Sequence, residues 1–200
     1  SDTTSSASLL LTANFRGNNI DNLFGESRLL NSTIRKYGNK LDLYDFTLKA
    51  FNEGGKPALS VKTDFVDADL RGYYKFGELG MALKSALATL LPSKFSAPEL
   101  SGGLSANEFT YNVRFRNTDK LNNFFRTGLL LSEKSTLNGS FYRDSLISVS
   151  ADAKKLVFRN NTFSNFSLKA LYSESEFMAD LRSTSLLVLG RADLKEFRAG

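Results

Sequence analysis

The fold is decided by the eighteen residues 59–76, which read LSVKTDFVDADLRGYYKF. Apolar and β-branched residues occupy the odd positions from 59 to 65 and the even positions from 66 to 76. Because side chains of a strand alternate between its two faces, this shift predicts that the buried side changes between Phe65 and Val66. One strand of this length would span about 60 Å, whereas strands usually have about five or six residues. The run therefore predicts two adjoining strands with a turn or bulge between them.

The composition favours β structure and excludes several kinds of chemistry. The chain has 200 residues, 17 Phe and 7 Tyr, but no His, Cys or Trp. Without His and Cys there is no Ser-His-Asp or Cys-His nucleophile pair, no thiol chemistry and no ordinary zinc ligand set. The net charge of +5 is spread along the chain without a basic block, so we expect no nucleic-acid binding. We also expect no enzymatic activity and no cofactor.

Strand patterns and turn residues divide most of the remaining chain, with a hairpin turn expected at 37–39. In residues 78–91, leucines recur at spacings of four and three before Pro92, which predicts an amphipathic helix. A single helical turn is expected at 119–126. The other predicted strands are 9–15, 29–34, 40–51, 109–115, 137–142, 146–151, 155–158, 166–172 and 177–181.

The domain organisation is expected to be simple. We predict one β-rich domain over 1–200, with 9–92 and 101–200 as two related strand units. Residues 45–51 (DFTLKAF) and 165–171 (NFSLKAL) resemble each other at an offset of 120, which is consistent with a repeated strand unit. The chain lacks an initiating Met, and its pattern continues to the last residues, so we expect a fragment of a longer protein. The sequence contains no run of eighteen apolar residues, so we predict no membrane-spanning helix.

Three carboxylates cluster at Asp64, Asp67 and Asp69. A pair of acids is the minimum for glycosidase chemistry, but these positions lie opposite the apolar ones and are expected to be solvated. Their spacing also lacks the Gly and distal Glu of a calcium-binding loop, so we predict no metal site.

The amount of apolar strand surface exceeds what one helix of about fourteen residues can cover. Such a sheet can fold over on itself, pair with another chain, or hold an apolar ligand. The residues alone leave these three outcomes open.

Three stretches resemble the C-terminal domain of the translocation and assembly module family TamB, in its Bacteroidetes form. They are residues 13–23 (ANFRGNNIDNL), residues 59–72 with the leucine-rich segment ending at Leu91-Pro92, and residues 117–125 (NTDKLNNFF). The likeness as a whole covers most of the chain, although these stretches are strand and turn patterns without a catalytic signature.

The resemblance implies an AsmA-like, periplasmic piece of a parent protein anchored in the inner membrane. In that family a curved, trough-like or taco-like antiparallel sheet encloses an apolar groove. The implied role is phospholipid transport between inner and outer membranes and outer-membrane biogenesis, including protein secretion. The expected partners are phospholipid acyl chains and an outer-membrane barrel assembly protein, with membrane contact through the parent.

Alternation along the strands predicts which side chains would line such a groove. A β-strand-addition scaffold for outer-membrane proteins and a β-sandwich adhesin or glycan-binding module remain the alternatives. The predicted lining residues are Phe46, Leu48, Leu59, Val61, Phe65, Leu70, Tyr74, Phe76, Tyr111, Val113, Phe115, Phe166 and Leu168.

Overall fold

The computed structural model describes residues 5–18, 20–36, 38–75, 107–143, 146–173 and 176–200. These residues form one antiparallel sheet of twelve strands that is not closed, with one short α-helix. The prediction of a mainly β, antiparallel fold is confirmed. The predicted helix at 78–91 lies outside the described residues.

The strands follow one another along the sheet almost in chain order. The sheet order is β1-β2-β3-β4-β5-β6-β8-β9-β10-β11-β12, and the short β7 pairs with the far part of β9. Pairing of β5 with β6 joins the two halves of the chain in one sheet. A 3₁₀ turn (Ile20–Asn22) precedes β2, and the helix α1 spans Asp119–Phe125. The strands are β1 (Ser5–Arg16), β2 (Phe24–Lys36), β3 (Asn39–Glu53), β4 (Lys56–Thr63), β5 (Val66–Tyr73), β6 (Glu108–Phe115), β7 (Leu129–Leu131), β8 (Thr136–Tyr142), β9 (Leu146–Phe158), β10 (Asn161–Ser173), β11 (Glu176–Val188) and β12 (Ala192–Ala199).

The break predicted within residues 59–76 is a tight turn between β4 and β5. The hydroxyl Oγ1 of Thr63 accepts the N–H groups of Phe65 at 3.0 Å and of Val66 at 2.9 Å, and it donates to the Val66 carbonyl at 3.0 Å. One side chain thus satisfies the backbone groups that leave the ladder at the turn. The phase change in the sequence marks this turn.

A bulge in β3 lies beside the turn. The Asp64 carboxylate accepts the backbone N–H groups of Tyr44 at 2.6 Å and of Asp45 at 3.5 Å. Successive amides of a regular strand point to opposite neighbours, so two that reach one carboxylate indicate a bulge. The buried apolar residues of β3 are Leu41 and Leu43 before the bulge and Ala50 after it, so the buried apolar positions change from odd to even.

The helix α1 fills a notch in the sheet. The strands β4, β5, β6 and β8 are shorter than β3 and β9 on either side of them, and α1 contacts β3 and β7 at that end. Phe124 packs there with Leu41, Leu43 and Phe65 in a buried cluster. The buried Thr118 hydroxyl precedes the helix and accepts the Leu131 N–H at 3.0 Å, which ties α1 to β7. The predicted short helix at this place is confirmed.

The strand predictions need correction at three places. Residues 146–151 and 155–158 were expected to be separate strands, but β9 runs through both because Lys154 and Lys155 remain extended. Sequence reasoning also missed β12, and it missed β7 because three leucines are too few to give a periodic signal. Among the described residues, no helix has the length and hydropathy needed to cross a bilayer.

The Thr63 turn can be tested by replacing Thr63 with valine, which keeps its shape and removes its hydroxyl. We expect the free energy of unfolding to fall by about 1–3 kcal/mol, because two N–H groups lose their acceptor at a buried turn. Urea unfolding followed by circular dichroism measures the loss. Thr110→Val, at an exposed position of β6, is the matched control and should change stability by less than about 0.5 kcal/mol. Equal effects of the two substitutions would show that the turn does not depend on the hydroxyl.

Candidate binding site: the apolar face of the sheet

One face of the sheet is apolar and the other polar, as β6 illustrates. Phe109, Tyr111, Val113 and Phe115 are buried or half-buried, whereas the residues between them at 110, 112 and 114 are exposed. Residues paired across neighbouring strands share a face, so the register carries this division through the sheet. We call the side that bears Val113 the apolar face.

Two rows of mostly apolar side chains cross the sheet on this face from β3 to β11. In each row, successive members are directly paired partners on neighbouring strands, so the rows run perpendicular to the strands. The first row is Leu48, Val61, Ala68, Val113, Leu137, Ala151, Leu168 and Leu181. The second row is Ala50, Leu59, Leu70, Tyr111, Gly139, Val149, Ala170 and Ala179.

Aromatic side chains close one margin of the apolar face. Phe109 and Phe141 are paired partners whose rings stack at 5.5 Å with an interplanar angle of 7°. Tyr74 joins them in a buried cluster, against which Leu59 and Ile147 pack. Burial raises the pKa of Tyr74 because the charged phenolate would lose its water. This margin is therefore a small packed core of its own.

Tyr111 lies in the middle of the apolar face and leans over Gly139. A Cβ at Gly139 would collide with the Tyr111 ring and with the Ser148 carbonyl, so only glycine leaves room for this arrangement. The Tyr111 hydroxyl donates a hydrogen bond to the Ser148 carbonyl at 3.3 Å. Burial raises the pKa of Tyr111 to about 12. The hydroxyl thus has a partner within the sheet and presents no charge at neutral pH.

The opposite face, which we call the polar face, carries exposed ion pairs. Lys49 contacts Glu26 at 3.0 Å, and Arg116 donates bidentate hydrogen bonds to Asp67 at 2.8–3.1 Å. Hydrogen bonds from Lys49 and then Arg28 lower the pKa of Glu26. These charges keep the polar face hydrated, so the sheet as a whole is amphipathic.

Most of the predicted lining residues come together on the apolar face. Phe65 does not join the rows: it lies in the turn after β4 and packs in the cluster under α1, because the chain leaves the ladder at Asp64. Phe76 lies outside the described residues. The eleven predicted residues on the apolar face are Phe46, Leu48, Leu59, Val61, Leu70, Tyr74, Tyr111, Val113, Phe115, Phe166 and Leu168.

Sequence reasoning missed several members of the apolar face. Phe141, Val149 and Leu181 alternate with polar residues in β8, β9 and β11, so the same period-two signal could have identified them. Gly139 and Ala170 carry too little apolar surface to give that signal.

The three clustered carboxylates each have a defined place in the fold. Asp64 holds the bulge in β3, Asp67 pairs with Arg116, and Asp69 is opposite Asn112 on the polar face. In the part of the chain that the structure describes, no group of three acidic side chains could hold a metal ion.

A concavity of about 470 Å³ lies over β8 to β11. Lys169, Leu171, Met178 and Asp180 line it, and all four alternate onto the polar face. Four members of the second apolar row, Gly139, Val149, Ala170 and Ala179, also line it. The concavity therefore borders both the polar face and the second apolar row.

Comparison with known proteins gives no relative: no family model, no curated protein and no solved structure matches this chain.

The raised pKa of Tyr111 predicts a pH dependence of stability. Unfolded tyrosine ionises near pH 10, whereas the folded side chain keeps its proton to about pH 12, so the unfolded state binds fewer protons between these values. The free energy of unfolding should therefore fall as pH rises from 10 to 12, by roughly 1–3 kcal/mol for this group.

Urea unfolding at pH 8 and pH 11.5 measures this fall. Tyr111→Phe should lose about 1 kcal/mol at pH 8, with the hydrogen bond to Ser148, and should show a smaller fall at high pH. Tyr73→Phe, at an exposed position of the polar face, should behave as the unmodified chain does. An unchanged pH dependence in Tyr111→Phe would contradict the burial of this hydroxyl.

Proposed function

We propose that the protein binds lipid acyl chains on its apolar face and conducts phospholipid as a non-enzymatic segment of a TamB-like, AsmA-like protein. The observation that supports this most is the continuity of the apolar rows from β3 to β11. In the part of the chain that the structure describes, the strands form a single layer. An apolar face of this extent needs an apolar cover, and an acyl chain is one that can enter and leave.

The dimensions suit an extended chain. Rows that cross the eight strands from β3 to β11 cover seven strand spacings of about 4.8 Å, or roughly 34 Å in all. An acyl chain lying along a row would gain about 0.8 kcal/mol for each methylene removed from water. Because the row members are similar from strand to strand, no single position holds the chain fixed, which favours movement along the row.

The polar face supports the same role. Its ion pairs keep that side in water while the apolar face holds the ligand, so headgroups can stay hydrated at the margins. We propose a periplasmic location for the segment, with its parent anchored in the inner membrane, a role in outer-membrane biogenesis, and a curved, trough-like sheet. These proposals rest on the family resemblance of the sequence.

Native mass spectrometry of the purified protein, with uptake of a fluorescent phospholipid, tests acyl-chain binding. Val113→Asp introduces a carboxylate in the middle of the first row, and we expect it to reduce uptake by about tenfold or more because the charge would be buried under the lipid. Asn112→Asp adds the same charge at the neighbouring exposed position on the polar face and should leave uptake unchanged. Protein that contains no lipid and takes up none would contradict the proposal.

Folding of the two variants separates a ligand-covered face from a closed core. If the apolar face is open, Val113→Asp should remain folded, with nearly unchanged circular dichroism and urea midpoint. If other protein covers Val113 permanently, the same substitution should cost several kcal/mol and unfold the domain. Loss of folding in Val113→Asp alone would therefore contradict lipid binding at this row.

A further inference from the structure

The two edges of the sheet differ in how they are protected. Edge strands offer unpaired backbone groups to other chains, and proteins usually blunt them with charged residues, proline or bulges. In β12, Lys195, Glu196 and Arg198 place three charges within four residues, and Glu196 departs from extended backbone with a positive φ of 54°. The edge at β12 is thus blunted.

Within the described residues Ser5–Arg16, the edge strand β1 has almost none of these protective features. Its twelve residues read SSASLLLTANFR and carry one charged residue, Arg16, at the end. Leu9, Leu10 and Leu11 are 53%, 60% and 60% exposed. The one irregularity of its pairing has its extra residue in β2, since β1 advances from Ser8 to Leu10 while β2 moves from Thr33 to Leu30. The outer edge of β1 is therefore a regular, apolar strand.

We propose that β1 pairs with β1 of a second copy of this chain, antiparallel and centred on Leu10. A two-fold axis normal to the sheet at Leu10 sets Leu9 of one copy opposite Leu11 of the other. Ser8 then faces Thr12, Ala7 faces Ala13, and the two Arg16 side chains lie at opposite ends. The strand is thus complementary to itself and brings no like charges together.

The pairing would also extend the apolar face. Leu11 is paired with Leu29, which is paired with Phe46, and Phe15 lies opposite Gly25 on the same face. A two-fold axis normal to the sheet keeps the apolar faces of both copies on the same side. The dimer would therefore carry one apolar face continuous across both copies. The pairing does not depend on lipid binding.

Analytical ultracentrifugation of the intact chain tests the dimer, and we expect association that increases with protein concentration. Leu10→Lys puts two like charges against each other on the axis and should weaken association by about tenfold or more. Leu194→Lys is the matched control, because Leu194 is a leucine of the other edge strand and is 48% exposed. A chain that stays monomeric at all concentrations would overturn the proposal, as would equal dimers of both variants.

Cross-linking tests the register. The chain has no cysteine, so Leu10→Cys introduces a single thiol. Directly opposed residues have Cβ atoms about 4.5–5.5 Å apart, close enough for a disulfide after small adjustment. Under mild oxidation Leu10→Cys should form a covalent dimer and Leu194→Cys should not. A dimer in solution that Leu10→Cys fails to cross-link would contradict pairing through β1, and circular dichroism should match that of the unmodified chain for every variant.

Discussion

The structure depends on the antiparallel register that keeps one face of the sheet mainly apolar. A slip of one residue at any pair would move a whole strand's apolar set to the other face, so each pairing must be specified. Close approaches help to do this. Gly25 lies against the Asn14 carbonyl, Gly72 against Glu108, and Gly139 against Tyr111, with no room for a Cβ at any of the three. A shifted register would set a larger residue at these places.

The Asp64 carboxylate also helps to specify the strand arrangement, at the C-terminal end of β4. It accepts two successive amides of β3 that would otherwise lose their strand partner where β4 ends. The bulge lets β3 continue past β4, and the long β3 forms one wall of the notch that α1 fills. Phe65, one residue further on, contributes to the cluster under the helix. The turn after β4 therefore determines where β4 ends, which path β3 takes and where α1 packs.

Much of this could be predicted from sequence because alternation is a local property. Period and turn residues alone predict the two strands within residues 59–76, the apolar side of β6 and the short helix at Asp119–Phe125. The continuity of β9 through Lys154 and Lys155 could not be predicted, because two adjacent lysines resemble a turn. The sequence also could not predict where the Phe65 side chain packs, because its position depends on a long-range contact with Leu41 and Leu43 rather than on neighbouring residues.

Among the residues that the structure describes, burial differs between the aromatic margin of the apolar face and its middle. Phe109, Phe141 and Tyr74 are nearly free of solvent because aromatic rings from several strands surround them. Val113, Leu137 and Leu168, which lie in the first row, remain half-buried. At about 25 cal/mol per Å² of apolar surface removed from water, only the half-buried residues retain area that a ligand could cover. The aromatic margin therefore stabilises the fold, whereas the half-buried residues of the middle rows retain the apolar surface that the proposed ligand would cover.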